Sequence, residues 1–558
     1  MLLVFAIAIA RTARNCSHQK PNDKNTRAKL SDLVRQESTL MKHTRPIYSI
    51  LLTALLVLAF QPQSAHSRIQ LLDGALELTG YVRESAYIRT HIPRDEKQFH
   101  KSNADFSLSS GLLEGLYRIR DDEVKINLFS GVTYWYEKAP VYDAQLRHGI
   151  PSQVRSSYAH PQDDEYIREA YLDISSGPLR TLIGKQIVVW GETDIVRTAD
   201  VVNPLDLRYS LPGIDTWDEI KIGLWMIRAF YNTGLPGDLL LEALFVPGDF
   251  QYLRLPYEGT HWGVSPAETS PSPGNVFGYS HWLLEKMIRD APGWNLHDNY
   301  EFGLRLRGYT LDIDWTVFYF NTLSDMATQN PNRSLQFSLD YVRGALPSIL
   351  FNQPSNPHFP GYDVYRYKRY QVIGGTAQTI AERLWGSVWR LEWFYEIGQH
   401  FNKAKDGQVG APAYDEVKRD SCGAGLNYSD KFTLPYVTHR WCNDKQLEAS
   451  ITLYYEKIFG YDRDLVVDFS RGHRSGDSYA AMVIWNFVQP IQHDTWMFIF
   501  AGTYNPNGMY FLLPMLSYGP GNHWRVETGA ALFGDRSDRA RHPYRDKDSM
   551  ILRLRYEW

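Results

Sequence analysis

After residue 67, apolar or aromatic residues alternate with charged, polar or small ones at a period of two, the signature of strands whose two faces meet different surroundings. Tyr300, Phe302, Leu304 and Leu306 alternate with Glu301, Gly303, Arg305 and Arg307. Trp389, Leu391, Trp393 and Tyr395 alternate with Arg390, Glu392, Phe394 and Glu396, and Leu447, Ala449, Ile451, Leu453 and Tyr455 with Glu448, Ser450, Thr452, Tyr454 and Glu456. The pattern predicts about eighteen strands, near 75–89, 103–119, 123–137, 164–175, 179–190, 221–231, 238–246, 299–309, 311–321, 365–378, 385–397, 420–429, 445–459, 478–488, 496–504, 508–518, 523–533 and 550–558.

Periodicity does not distinguish a soluble sandwich from a membrane barrel, because either can bury the apolar face. Connection lengths do. Gaps after even strands are mostly short, such as Arg120 to Asp122, Ser176 to Pro178 and Thr310, whereas 138–163, 191–220, 247–298 and 322–364 follow odd strands. Short turns at one rim and long loops at the other are the rhythm of a transmembrane antiparallel β-barrel entered from the periplasm. Two gaps break it: 430–444 is long for a turn, and Asn505-Pro506-Asn507 is short for an outside loop. Sixteen strands is therefore the fallback. The last strand agrees with the barrel, since Met550, Leu552, Leu554, Tyr556 and Trp558 occupy every second position up to the chain end. Such an aromatic terminus resembles the strand that the outer-membrane barrel assembly machinery reads.

Composition narrows the class further. Apolar residues make up 44% and charged residues 22%, and the longest apolar run, Ile47 to Phe60, is too short for a helix across a bilayer. That run follows the basic stretch Met41-Lys42-His43-Thr44-Arg45 and precedes Ala65-His66-Ser67, so 41–67 reads as a secretory signal peptide. Residues 1–40 read as an upstream extension or a start-site error, and 68–558 as the mature barrel. Without the first 67 residues the chain holds 50 basic and 60 acidic residues, a net charge of −10 that argues against nucleic acid as a partner. The expected partners are outer-membrane lipid and lipopolysaccharide, the assembly machinery through Trp558, and periplasmic or efflux components. Export to an oxidising compartment favours pairing Cys422 with Cys442. The expected topology separates them by a strand length, so a disulfide and two free thiols are both open.

No His-Glu-x-x-His, Cys-x-x-Cys or Gly-x-Ser-x-Gly element occurs, which leaves catalysis, a metal and a cofactor without support. The remaining signal is Gly184-Lys185-Gln186, Trp190-Gly191-Glu192-Thr193-Asp194 and Asn203-Pro204-Leu205-Asp206-Leu207-Arg208. With Ala291-Pro292-Gly293-Trp294-Asn295 and Tyr300-Glu301-Phe302-Gly303-Leu304-Arg305, these elements resemble the proteobacterial family catalogued as domain of unknown function 1302, whose members are treated as porin-like. The resemblance implies a bacterial outer-membrane channel for passive or facilitated diffusion of small hydrophobic or amphipathic solutes. It brings no established substrate.

Physically, a loop carrying Trp190, Glu192, Asp194, Arg197, Asp206 and Arg208 either narrows the pore with opposed charges or is clamped to the wall by them. Glu301, Arg305, Arg307, Arg390 and Glu392 are the candidate lumen residues. The rival classes are an outer-membrane lipid hydrolase, with Ser and His brought together by neighbouring strands, and a loop-closed barrel docking to an export system.

Overall fold

A computed structural model describes residues 68–91, 104–137, 161, 163–192, 197–210, 213–254, 261–262, 294–325, 328–329, 365–381, 386–404, 414–434, 436–442, 444–462, 465–466, 478–492, 494–506, 508–535, 544 and 547–558. The expected signal peptide, 41–67, and upstream extension, 1–40, lie outside these residues.

The alternating segments form a closed antiparallel barrel of eighteen strands. In chain order they are β1 (Leu76–Arg89), β2 (Ala104–Asp121), β3 (Val124–Glu137), β4 (Ile167–Ser176), β5 (Leu179–Gln186), β6 (Leu224–Asn232), β7 (Leu240–Val246), β8 (Glu301–Thr310) and β9 (Ile313–Leu323). The second half comprises β10 (Arg369–Ala381), β11 (Ser387–Ala404), β12 (Tyr414–Phe432), β13 (Leu447–Ile458), β14 (Tyr479–Ile491), β15 (Trp496–Tyr504), β16 (Met509–Tyr518), β17 (Trp524–Asp535) and β18 (Ser549–Glu557). Each strand pairs with the next, and β18 returns to β1 with Arg553 opposite Ser85 and Ile551 opposite Tyr87. Closure satisfies every edge, which a sheet in hydrocarbon needs.

The alternation has the expected sense. Met550, Leu552 and Leu554 of β18 are exposed while Ile551 and Arg553 are buried, and Leu304, Val317, Ile373, Leu391, Leu426 and Leu453 continue the outer apolar belt. An apolar exterior with a polar and filled interior reverses the soluble sandwich, and it makes the chain a transmembrane barrel. At the short-turn rim, Trp524 and Tyr556 meet edge-on at 4.9 Å, and Trp496 and Tyr518 lie 4.3 Å apart, as an interfacial girdle requires. The β8–β9 turn places Leu311 and Asp312 in the left-handed region, at φ 54° and 60°, which gives a two-residue hairpin its strand-matching twist.

The two irregular gaps are real and leave the count at eighteen, so the sixteen-strand fallback is not adopted. The long connection after β12 carries a short helix, α1 (Val437–Trp441), and the gap after β15 is a tight turn closed by the Gly508 amide donating to the Asn505 carbonyl at 2.8 Å. The helix also decides the cysteines. β12 runs straight on to Phe432, so Cys422, opposite Tyr395, stays about ten residues, roughly 33 Å, up the strand. Cys442 is buried at the end of α1, and both thiols are free. The disulfide alternative is thereby corrected.

Candidate functional site: an inward-folded loop fastened to opposite walls

The connection between β5 and β6, residues 187–223, enters the barrel and contacts opposite sides of it. Asn203 closes its base. Its side-chain oxygen accepts from the Val188 amide at 2.7 Å, and its amide nitrogen donates to the carbonyls of Gln186 at 3.1 Å and Ile222 at 2.8 Å. One buried side chain thus joins both arms of the loop. Pro204 follows, its carbonyl accepting from the Ile222 amide at 2.9 Å. This gives the Asn-Pro pair a structural reason: asparagine supplies acceptor and donors together, and proline has no amide to leave unsatisfied.

Trp190 is fully buried, packed 5.1 Å from the Phe318 ring and 5.8 Å from that of Phe320, with its indole nitrogen donating to Glu242 at 3.2 Å. The ring fits because position 303 is glycine: a Cβ there would come within 2.6 Å of Trp190 and 3.0 Å of Phe320. Glu242 also takes Arg228 at 2.7 Å and Arg305 at 2.9 Å, so one carboxylate holds two wall arginines and the indole. Glu392 of β11, fully buried, accepts the Ala199 amide at 3.0 Å and the Glu192 amide through its other oxygen. The loop's own Asp200 binds Lys221 at 2.5 Å. Val188, Trp190, Ala199 and Val202 form one apolar cluster with Phe318, Phe320, Val372, Phe394, Tyr454 and Ile484 of the wall.

The distal part of the loop reaches the other side. Asp215 lies 3.1 Å from Arg83 and 2.8 Å from Arg553, and Glu219, in the single helical turn Trp217–Ile220, lies 3.0 Å from Arg83 and 3.5 Å from Arg555. Arg525, Arg555 and Arg83 stand opposite one another in one row across β17, β18 and β1. Adjacent like charges destabilise a sheet, so the loop carboxylates serve as counterions to this row. Burial disfavours the Asp215 carboxylate, yet Arg553 and Arg83 outweigh it and hold the carboxyl down at about 2. Ile214 joins a second apolar cluster with Tyr87, Phe106, Phe511, Leu513 and Phe533.

Trp262 belongs to that second cluster, and its neighbour His261 shares the same burial, with Nε2 3.1 Å from the Ser549 hydroxyl. Both side chains of this Ser–His contact are fully buried, and the Arg89 guanidinium donates to the His261 carbonyl at 3.3 Å. The contact fastens a second connection to the wall and offers a substrate no access.

The predicted residues are thus distributed unevenly. Asp206 and Arg208 pair with each other at 2.6 Å, and Arg208 continues to Glu165 at 3.0 Å and stands 5.6 Å over the Trp135 ring. Burial opposes the Asp206 charge, but Arg208 and Arg254 hold its carboxyl below the usual range. Trp190, Asp206 and Arg208 are therefore clamps. Glu192 and Arg197 keep partial exposure, Arg197 donating to the Asn203 carbonyl, and Asp194 lies outside the described residues. Among the lumen candidates, Arg305 is taken by Glu242, Arg307 pairs with Asp314, and Glu392 holds the loop. Arg390 bonds the neutral Gln378, Asn427 and Ser429 at 2.8 to 3.2 Å. Glu301 is buried and accepts from Thr322 at 2.9 Å, so it is a tie rather than a lining group.

Sequence reasoning missed Arg83, Arg553, Arg555, Asp215, Glu219 and Glu242. Alternation places Arg553 and Arg555 inside, between the apolar positions of β18, but the loop carboxylates that engage them, Asp215 and Glu219, lie more than 300 residues away.

Beneath the loop, at the short-turn end, lies a cavity of about 620 Å³. Tyr81, Leu112, Ile187 and Val189 contribute to its lining, with Arg168, Glu169, Asp218 and Arg555 among its charged groups.

A closed barrel, apolar outside and filled inside by an anchored loop, defines the porin-like class of transmembrane β-barrels. The chain belongs to the family described as Protein of unknown function (DUF1302), whose model matches residues 120–558. No curated protein matches it. Among solved structures it is similar to a BenF-like porin from Pseudomonas fluorescens Pf-5, at 9% identity over 88% of this chain and 98% of that one, with a TM-score of 0.44. It is similar to Acinetobacter baumannii OccAB3 at 9% identity over 88% and 100%, TM-score 0.41. The corresponding values for Salmonella typhi OmpF in complex with daunomycin are 9%, 88%, 100% and 0.39.

Proposed function

We propose that the chain is a bacterial outer-membrane channel, not an enzyme, through which small amphipathic solutes diffuse down their gradient past loop 187–223. The observation that carries this is the loop itself, fixed to β1 and β18 on one side and to β9 and β11 on the other. A lumen of eighteen strands is wide enough for an aqueous path, and a fixed inward loop narrows such a path to a selective one. The inward positions mix polar and apolar groups. Gln378 and Arg390 face inward on β10 and β11, and Val488, Ile499 and Ala501 on β14 and β15, all partly exposed. Polar and apolar groups in one lumen suit solutes with a polar and an apolar end. Lipid and lipopolysaccharide surround the outer belt, β18 with Trp558 is the strand offered to the assembly machinery, and periplasmic or efflux components would meet the short-turn rim.

The hydrolase alternative loses support from the buried Ser549–His261 contact. The test is single-channel recording of the purified full chain in planar bilayers. Stepwise conductance is expected, and a silent barrel with its loops intact would sink the channel in favour of the docking alternative.

A further inference from the structure

Among the described residues, one inward strand arginine is left over. Arg525 stands opposite Arg555 on the inner face, between the exposed outward residues Trp524 and Val526. Among the described strand arginines, it alone has no hydrogen-bond or ion-pair partner. Arg83 and Arg555 in the same row are engaged by Asp215, Glu219 and Glu557, which leaves Arg525 as the member of the row that no carboxylate holds. An unpaired guanidinium beside a second one raises the local positive potential and is relieved by an incoming anion.

The wall beside it is apolar. Register places Pro490 and Met497 on one inward row of β14 and β15, Val488 and Ile499 on the next, and Ala501 above them beside Asn486. All five apolar residues are partly exposed. The column begins at Met497, two strand spacings or roughly 10 Å across from Arg525 and one inward row up, and continues from there to β14, a third spacing away, and along β15. Between them β16 presents Ser517 opposite Met497 and Met515 opposite Ile499, so the inner face offers no other charge on that path up to β17, where Glu527 is engaged by Arg553 at 3.8 Å.

We infer that the inner face of β14–β17 is a binding track for amphipathic monocarboxylates. Arg525 takes the carboxylate, and Val488, Pro490, Met497, Ile499 and Ala501 take the apolar body. The inference rests on the channel reading and adds the sign of the solute's charge and the residues that meet it. Arg525 suits a carboxylate better than lysine would, because its planar fork donates two parallel hydrogen bonds.

The probes are hexanoate, acetate and hexylammonium, compared by reversal potential across bilayers holding the full chain. Hexanoate should permeate roughly tenfold better than hexylammonium, the factor that one charge-assisted hydrogen bond supplies. Arg525→Gln should abolish that preference, whereas Ile499→Ser should lower hexanoate relative to acetate. Heat-dependent gel mobility identifies variants that fail to fold, and Arg525→Lys, expected to keep part of the preference, serves as the conservative check. Equal permeation of hexanoate and hexylammonium, or an unchanged ratio in folded Arg525→Gln, overturns the inference. If the chain passes no current, the channel reading fails on its own. Equilibrium dialysis of labelled hexanoate against nanodiscs carrying wild type or Arg525→Gln then decides the site, and equal retention by the two overturns it.

Discussion

Asn203 and Asp215 do most to set the position of the inward loop, and each makes its own prediction. Asn203→Ala removes three hydrogen bonds, among them the one that satisfies the buried Val188 amide. An amide orphaned in this way costs about 1–3 kcal/mol. The expected result is a noisier, larger single-channel conductance with barrel mobility on gels unchanged, since the strands are untouched. Asp215 makes a pH prediction. Its carboxyl is held at about 2 against an ordinary 3.8, so its contribution is fully present above about 4 and is lost as pH falls towards 2. Conductance should therefore rise as pH is lowered from 4 to 2, and Asp215→Asn should already show the enlarged conductance at pH 7 with its acid-dependent component gone. An Asp215→Asn channel with wild-type acid response would show that other groups anchor the loop.

At the scale of elements, wall and loop are fitted to each other at β8. Gly303→Ala would drive a Cβ into Trp190, Phe320 and Leu244, at 2.6, 3.0 and 3.3 Å. Overpacking of this kind costs about 1–3 kcal/mol. Trp190 is held less firmly than the paired backbone of β8, so the indole should be expelled. The expected outcome is a folded barrel whose Trp190 becomes accessible to an aqueous quencher, measured against a Trp190→Phe control. The strands themselves were legible, since all eighteen lie within a few residues of the alternating segments, because the outward and inward faces differ in chemistry at every step. Their long-loop ends were less so. β11 runs on to Ala404 past a bulge at Gly398, and β5 stops at Gln186, four residues short of the expected end. There the apolar run Ile187 to Val189 serves the loop, and a short apolar run looks the same whether it faces lipid or a packed interior.

For the whole molecule, the two thiols of the barrel give a simple test of topology. With Cys422 high on β12 and Cys442 beside α1, gel mobility should be the same with and without reductant. Unfolding without reductant should expose two maleimide-reactive sites in a chain cleaved after Ser67. A third reactive site would mean that Cys16, and hence the leader, is retained. A reductant-dependent shift would contradict the straight course of β12.

The sequence by itself determined the barrel. Alternation fixes which face of each strand is apolar, and connection lengths fix which rim most turns belong to, because these are local properties of the chain; the choice of eighteen strands over sixteen came with the structure. It also marked 187–223 as the unusual loop. Only the tertiary structure decided which of that loop's charges are free. Asp206 and Arg208 pair with each other, Glu392 is a clasp, and Arg525, unremarked in the pattern, is the one arginine of the described strands left without a partner. Pairing across a closed barrel joins residues hundreds of positions apart, and no local pattern carries that information.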